Sequence, residues 1–293
     1  MMAGSRQRLG SLLGFFGMCL FAGTLPATRL ALTGLDPLFL TAARITIAGA
    51  AGLLVLLGRR CALLPPKLWA QMASAAFCTV FLFPLCAAFA MMSVPAAHGG
   101  VVFGIMPLAT AAAAAIFAHE RPSWGFWLAS AAGTVIVLAF VLRHSGGLFA
   151  AGDVFLLGAI AAGAVGYTLS GRLTVLMPGW EVISWQVLIF FPLAACATVA
   201  LWPGNLASVP GFAWAGLAYV GLVSQYTAFF VFNAAMAMGG IARVSQIMLL
   251  QPFMIVALAL PVNGERIDPE TILFAAAVVA TVLVGQRMRV VRR

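Results

Sequence analysis

The chain has 293 residues, of which 63% are hydrophobic and only 8% charged, with a formal net charge of +9. A surface that poor in charge excludes a water-soluble domain of this size. The basic excess would suggest nucleic acid in a soluble protein. Here it sits mainly in short loops and at the termini, so it reads as a membrane topology signal with the lipid bilayer as partner.

Apolar runs of about 20 residues, each able to cross a bilayer core of about 30 Å as a helix, recur along the whole chain. Breaks marked by Pro, Gly and charge divide it into ten predicted spans. In chain order they cover 10–32, 37–57, 68–92, 96–118 and 123–142, then 153–175, 181–202, 211–237, 241–262 and 268–287. Arg6 and Arg8 before the first run resemble the start of a signal peptide. The run 10–32 is too long for a signal core, and more spans follow, so it reads as an uncleaved helix. Trp69, Trp124, Trp127, Trp180, Trp202 and Trp214 fall near span ends, as an interfacial belt requires. The five cysteines show no ligand spacing and read as small packing residues, with no metal or cofactor implied.

An even number of spans puts both termini on one side. That side receives Arg6, Arg8, Arg59, Arg60, Lys67, Arg121, Arg172, Arg243, Arg287, Arg289, Arg292 and Arg293. The other receives Arg29, Arg143 and Arg266, while Arg44 falls inside a span. Twelve against three places both termini in the cytoplasm, in a multi-pass protein of the cell membrane, a bacterial inner membrane foremost.

Two polar fragments interrupt the apolar pattern, AHERPS from Ala118 and NGERIDPE from Asn263. Glu120 and Glu265 stand 145 residues apart, as do Arg121 and Arg266, Pro107 and Pro252, and His98 and Arg243. With a two-residue gap, Arg29 also meets Arg172. The chain is thus predicted to be an all-α membrane protein of ten transmembrane helices in two five-helix repeats, 1–147 and 148–293. Five is odd, so the second repeat enters the membrane inverted. Inverted repeats characterise secondary transporters, whose substrate site lies between the halves near the midplane.

These features resemble the drug/metabolite transporter superfamily, in its ten-helix EamA-type branch, over the full length. The resemblance is carried by Pro107 and Glu120 in PLATAAAAAIFAHERPS, and by Pro252 and Glu265 in QPFMIVALALPVNGERIDPE. GDVFLLGAIAAGAVGYTLSGRL from Gly152, and Arg44 in DPLFLTAARITIAG, add to it. It implies a transporter of small metabolites, with amino-acid exporters among the closer-looking members. The small multidrug branch of that superfamily depends on a Glu inside its first helix. The run 10–32 contains none, which speaks against lipophilic-cation/proton antiport.

Every one of the seven carboxylates falls at or near a predicted span end. Glu120 and Glu265 read as turn markers at interface depth, with Ser123 and Asp268 as helix caps. Pro107 and Pro252 interrupt the middle of apolar spans, each removing a backbone hydrogen bond, and are candidates for a hinge or gate. A substrate cavity must then come from neutral polar and aromatic groups. Tyr219, Tyr226 and Asn233 recur at intervals of seven and so share nearly one face of a regular helix. Gln225 and Ser224 lie beside that stripe, Trp185 and Gln186 lie a turn inside their span, and Gln246 and Gln251 complete the polar set. His98 and Arg243, at the starts of the proline-broken spans, are placed to attract a carboxylate with the helix dipole. The alternative reading of Tyr219, Tyr226 and Asn233 is helix–helix packing, and that of Arg243 a topology charge. Arg44 either snorkels to the outer interface or points into the bundle.

The function expected is a secondary transporter or facilitator moving small metabolites out of the cytoplasm by alternating access through a central cavity. Amino acids, aromatic ones included, are the foremost substrates, and other small metabolites or drugs the alternative. The partners expected are the small-molecule substrate and the lipid bilayer, for a monomer or a homodimer, with no nucleic acid. A membrane-embedded enzyme would need a nucleophile with its base, or paired aspartates, at membrane depth. The chain shows neither, nor any catalytic motif.

Overall fold

A computed structural model of the protein describes residues 2–117, 121–144, 150–239, 250–287 and 290–291. They form helices joined by short connections, apart from a two-residue antiparallel pairing of Arg121–Pro122 with Val290–Val291. The first half holds α1 (Met2–Ala22), α2 (Thr24–Ala31), α3 (Pro37–Gly58), α4 (Trp69–Ala76) and α5 (Phe83–Met91). It continues with α6 (Ala96–Phe103), α7 (Met106–Phe117) and α8 (Trp124–His144). The second half holds α9 (Ala151–Leu173), α10 (Gly179–Ala200), α11 (Gly211–Ala218), α12 (Ala228–Gly239), α13 (Gln251–Asn263) and α14 (Pro269–Arg287).

Among the described residues each of the ten predicted spans contains helix, but ten helices of spanning length are not seen. Six stretches of the described residues are individually long and apolar enough to cross a membrane, and the bent pair α6–α7 makes a seventh. Trp127–Arg143, Gln251–Asn263 and Pro269–Thr281 are shorter apolar helices. For the predicted span 241–262, the described helix begins only at Gln251. The first predicted span is broken at Gly23 into α1 and α2. Outward faces are apolar, with Leu54, Leu57, Leu193, Val199 and Leu273 all exposed, the inverse of a soluble protein's surface.

Local chemistry sets the ends. Asp36 caps α3 by accepting from the amides of Leu38 and Phe39, with Pro37 preset in the first turn. Asp268 accepts from Thr271 N at 2.7 Å at the start of α14, so its predicted capping role is observed. α13 ends on Gly264, whose φ of 66° suits a residue without Cβ. The Gly264 amide bonds to the Leu260 carbonyl and that of Glu265 to Ala259, closing the helix end.

The packing is symmetric under exchange of the two halves. α3 packs on its equivalent α10, and α8 on its equivalent α14. α5 packs on α9, and the corresponding pair α12 and α1 does the same. Even the irregularities match. A wide π-helical segment, Phe77–Leu82, joins α4 to α5, and its counterpart Tyr219–Thr227 joins α11 to α12. Small residues permit close approach in these contacts. A Cβ on Gly216 of α11 would stand 2.7 Å from the Ala27 carbonyl oxygen and 2.9 Å from the Ala31 nitrogen of α2.

Candidate functional site

A cavity lies where the halves meet, walled by α1–α3, α5, α6, α9, α12, α13 and both π segments. Its polar lining is Thr24, Arg44, Thr79, Tyr167, Ser224, Gln225 and Gln251. Its apolar lining is largely aromatic, with Phe21, Phe83, Phe103 and Phe229. No carboxylate belongs to it among the described residues. The space is narrow in this conformation, with room for about one water and not for a metabolite.

The π segments supply Thr79, Ser224 and Gln225 to this lining. A π turn holds one residue more than an α turn and rotates every later side chain around the axis. Thr79 and Ser224, 145 residues apart, occupy equivalent places in the two segments and both face the cavity. Thr24 Oγ1 donates to the Phe21 carbonyl at 2.6 Å and receives Ser224 Oγ at 2.7 Å, bridging the halves. With the two-residue gap Thr24 is also the counterpart of Tyr167, so two equivalent pairs line the same space.

Arg44 stands out in this wall. Its side chain comes from the second turn of α3 and is only 2% exposed, so it points into the bundle and does not snorkel. Its Nε is buried without a hydrogen-bond partner, and so is the amide nitrogen of Gln225. Among the described residues no salt bridge reaches Arg44.

The residues singled out in the sequence are placed differently. Tyr226 Oη meets Ser184 Oγ at 2.8 Å, locking the second π segment to α10. Tyr219 Oη donates to the Leu20 carbonyl at 2.9 Å, and Asn233 Nδ2 to the Gly179 carbonyl at 3.0 Å. Tyr226 and Asn233 both turn to α10, while Tyr219, at the start of the π segment, turns to α1, so the single face expected from their spacing holds for two of the three. Gln186 Nε2 donates to Ser170 Oγ at 2.8 Å. Trp185 packs edge-on to Trp69 with its Nε1 unpartnered, in a cluster with Leu56, Leu64 and Met72. None of the five belongs to the lining of the central cavity. Arg243 and Gln246 lie outside the described residues.

His98 is buried in the first turn of α6, with its Nε2 2.7 Å from Asp153 Oδ1 at the start of α9. It too is not part of the cavity lining. Pro107 follows a break at Gly104 and Ile105, where the axes of α6 and α7 differ by 43°. Pro252 is buried in the first turn of α13. Glu265 does more than mark a turn. Its carboxylate accepts from the amides of Ala96 at 2.7 Å and Ala97 at 2.9 Å, satisfying the open N-terminus of α6. Glu120, its partner in the repeat, lies outside the described residues.

Three hydroxyl residues of the lining, Thr24, Thr79 and Tyr167, are not among those singled out in the sequence. Their signal in the sequence is pairing across the repeat, Thr79 with Ser224 and Thr24 with Tyr167, all within apolar spans.

Comparison with known proteins bears on this arrangement. Residues 8–142 and 150–285 each match the EamA-like transporter family. An uncharacterized transporter of Bacillus subtilis (strain 168), YdeK, is 37% identical over 277 residues, covering 94% of this chain and 96% of its own. A crystal structure of a protein 23% identical in sequence superimposes with a TM-score of 0.65, covering 94% of this chain and 97% of its own. At that identity the likeness shows a common fold.

Proposed function

The chain belongs to the EamA-like transporter family, and from that premise we propose that it is a secondary transporter or facilitator for small metabolites. Amino acids, aromatic ones among them, are the foremost substrates, and the direction is out of the cytoplasm. Two inverted halves of five spans, within 1–147 and 148–293, enclose the central cavity and open it to each side in turn. Both termini face the cytoplasm in this reading, with the chain in a bacterial inner membrane. The observation that carries it is the cavity itself, built at the junction of the two family matches from equivalent positions of each. Its aromatic walls suit an apolar side chain, and its hydroxyl and amide groups suit a polar backbone. The bend ahead of Pro107 gives one wall a point of articulation, with Pro252 as its counterpart.

Coupling follows from what lines the path. With no carboxylate among the described lining residues, the cavity itself carries no acidic proton carrier, and net export runs down a cytoplasmic excess. Tyr219, Tyr226, Asn233, Trp185 and Gln186 act in this account as supports that hold the walls in place. The test is a counterflow screen of amino acids and other metabolites in proteoliposomes, with and without a pH gradient. Accumulation of labelled amino acid independent of the gradient is expected. Strict dependence on the gradient would overturn the facilitator reading, and counterflow confined to cationic drugs would overturn the substrate class.

A further inference from the structure

We propose that Arg44 is the anchor for a substrate carboxylate, so that a molecule crossing this protein must bring its own negative charge to the cavity. The inference rests on the reading of the cavity as the transport site and narrows what that site accepts.

The argument begins with charge that has no partner. A guanidinium stays protonated in a protein, so burial cannot neutralise it as it can a lysine or a histidine. Arg44 is 2% exposed, within a helix long and apolar enough to cross a membrane. An uncompensated ion at such a place is costly, and in membrane proteins it marks a ligand path or an ion pair. The pair must then be sought, and the protein's own carboxylates are placed elsewhere. Asp36 caps α3, and Asp268 caps α14. Asp153 meets His98, Glu265 meets Arg29, and Glu270 meets Arg143. Glu181 sits in the first turn of α10, away from the cavity lining. Among the described residues none remains for Arg44.

The groups around Arg44 point the same way. The amide nitrogen of Gln225 is a second buried donor without an acceptor, and it lines the same cavity. Two unused donors, with no carboxylate beside them among the described lining residues, leave the site able to hold an anion. A single guanidinium balances a single negative charge; its planar fork takes carboxylate and phosphate alike, so the charge count and the apolar walls are what favour a monocarboxylate. The rings of Phe21, Phe103 and Phe229 then receive an apolar body. The ligand class that fits is a small monocarboxylate with an apolar or aromatic side chain, including the zwitterion of an amino acid. Its ammonium group would rest on aromatic faces, as cations do.

Thermal unfolding of the purified full chain in detergent tests this with four probes: 3-phenylpropionate, its neutral amide 3-phenylpropionamide, phenylalanine, and inorganic phosphate. The wild type should be stabilised by the two carboxylates and not by the amide or phosphate. Arg44→Met should unfold no earlier than wild type without ligand, because it removes an uncompensated charge. It should also lose apparent carboxylate affinity by about 30-fold or more. An arginine that served only packing would lower the ligand-free midpoint instead. The proposal is overturned if the amide stabilises the wild type as well as the acid, a comparison that needs no variant. It is equally overturned if phosphate alone stabilises, or if Arg44→Met keeps the full carboxylate response. Counterflow separates the two readings. Equal exchange of acid and amide would sink the anchor while leaving transport intact. Carboxylate-specific stabilisation without any counterflow would sink transport while leaving the anchor.

Discussion

Glu265 ties Arg29 to the start of α6: its Oε1 lies 3.3 Å from Arg29 Nε, while both carboxylate oxygens take backbone amides of Ala96 and Ala97. One side chain after the end of α13 thereby joins α2, α6 and α13 at one end of the bundle. The Arg29 guanidinium, itself bonded to the Val94 carbonyl, holds the connection ahead of α6 in the same knot.

Removing that carboxylate leaves two helix-end donors without acceptors. Glu265→Ala should lower stability by about 2–3 kcal/mol, most of it from the backbone donors, since Arg29 is one-third exposed and its pair is screened. Glu265→Gln, which keeps one acceptor, should lose less. Thermal midpoints in detergent check this, and an unchanged midpoint for Glu265→Ala would refute the knot.

His98 and Asp153 are both buried and join α6 to α9 at 2.7 Å. A double-mutant cycle of His98→Ala and Asp153→Asn should show a coupling of about 1–3 kcal/mol, because each partner stands in for water the other has lost. Additive effects of the two changes would mean that the contact contributes nothing beyond packing.

The approach of α11 to α2 depends on the missing side chain of Gly216. Gly216→Val drives methyl groups into the Ala27 and Ala31 backbone, which cannot rotate away, and should cost about 1–3 kcal/mol or block folding. Gly211→Ala, at the open start of the same helix, has nothing within 4 Å of the new atom and should behave as wild type. Expression yield and monodispersity in detergent separate the two.

Much of the architecture was legible in the residues. The 145-residue recurrence of Pro and Glu fixed where equivalent helices lie, because turn chemistry is local and survives whatever the helices do between turns. The site was less legible, for a physical reason that two segments illustrate. Tyr219, Tyr226 and Asn233 recur every seven residues, and seven residues make two turns only if the helix is regular. The π segment Tyr219–Thr227 breaks that condition, sending the two tyrosines to different neighbours and exposing Ser224 and Gln225 to the cavity instead. Arg44 was ambiguous because its flexible stem allows either snorkelling or burial, and only packing decides. Glu265 declared its turn but not its reach to α6, since the partner amides lie 168 and 169 residues away.

The bend between α6 and α7 carries the gating side of the account. Pro107→Ala restores a backbone donor to that span, and Pro252→Ala does so in its counterpart. Each should slow counterflow several-fold while ligand stabilisation of the purified protein stays near wild type. Unchanged exchange in both variants would remove the prolines from the mechanism.

The most direct measurement is the accessibility of the cavity from each side of the membrane. In a chain whose five native cysteines are replaced, Thr79→Cys and Ser224→Cys each place one thiol at equivalent points of the lining. A membrane-impermeant thiol reagent should label both from either side of oriented vesicles, and saturating substrate should slow both reactions. Labelling of both thiols from one side only, or from neither while transport continues, would contradict alternating access through this cavity.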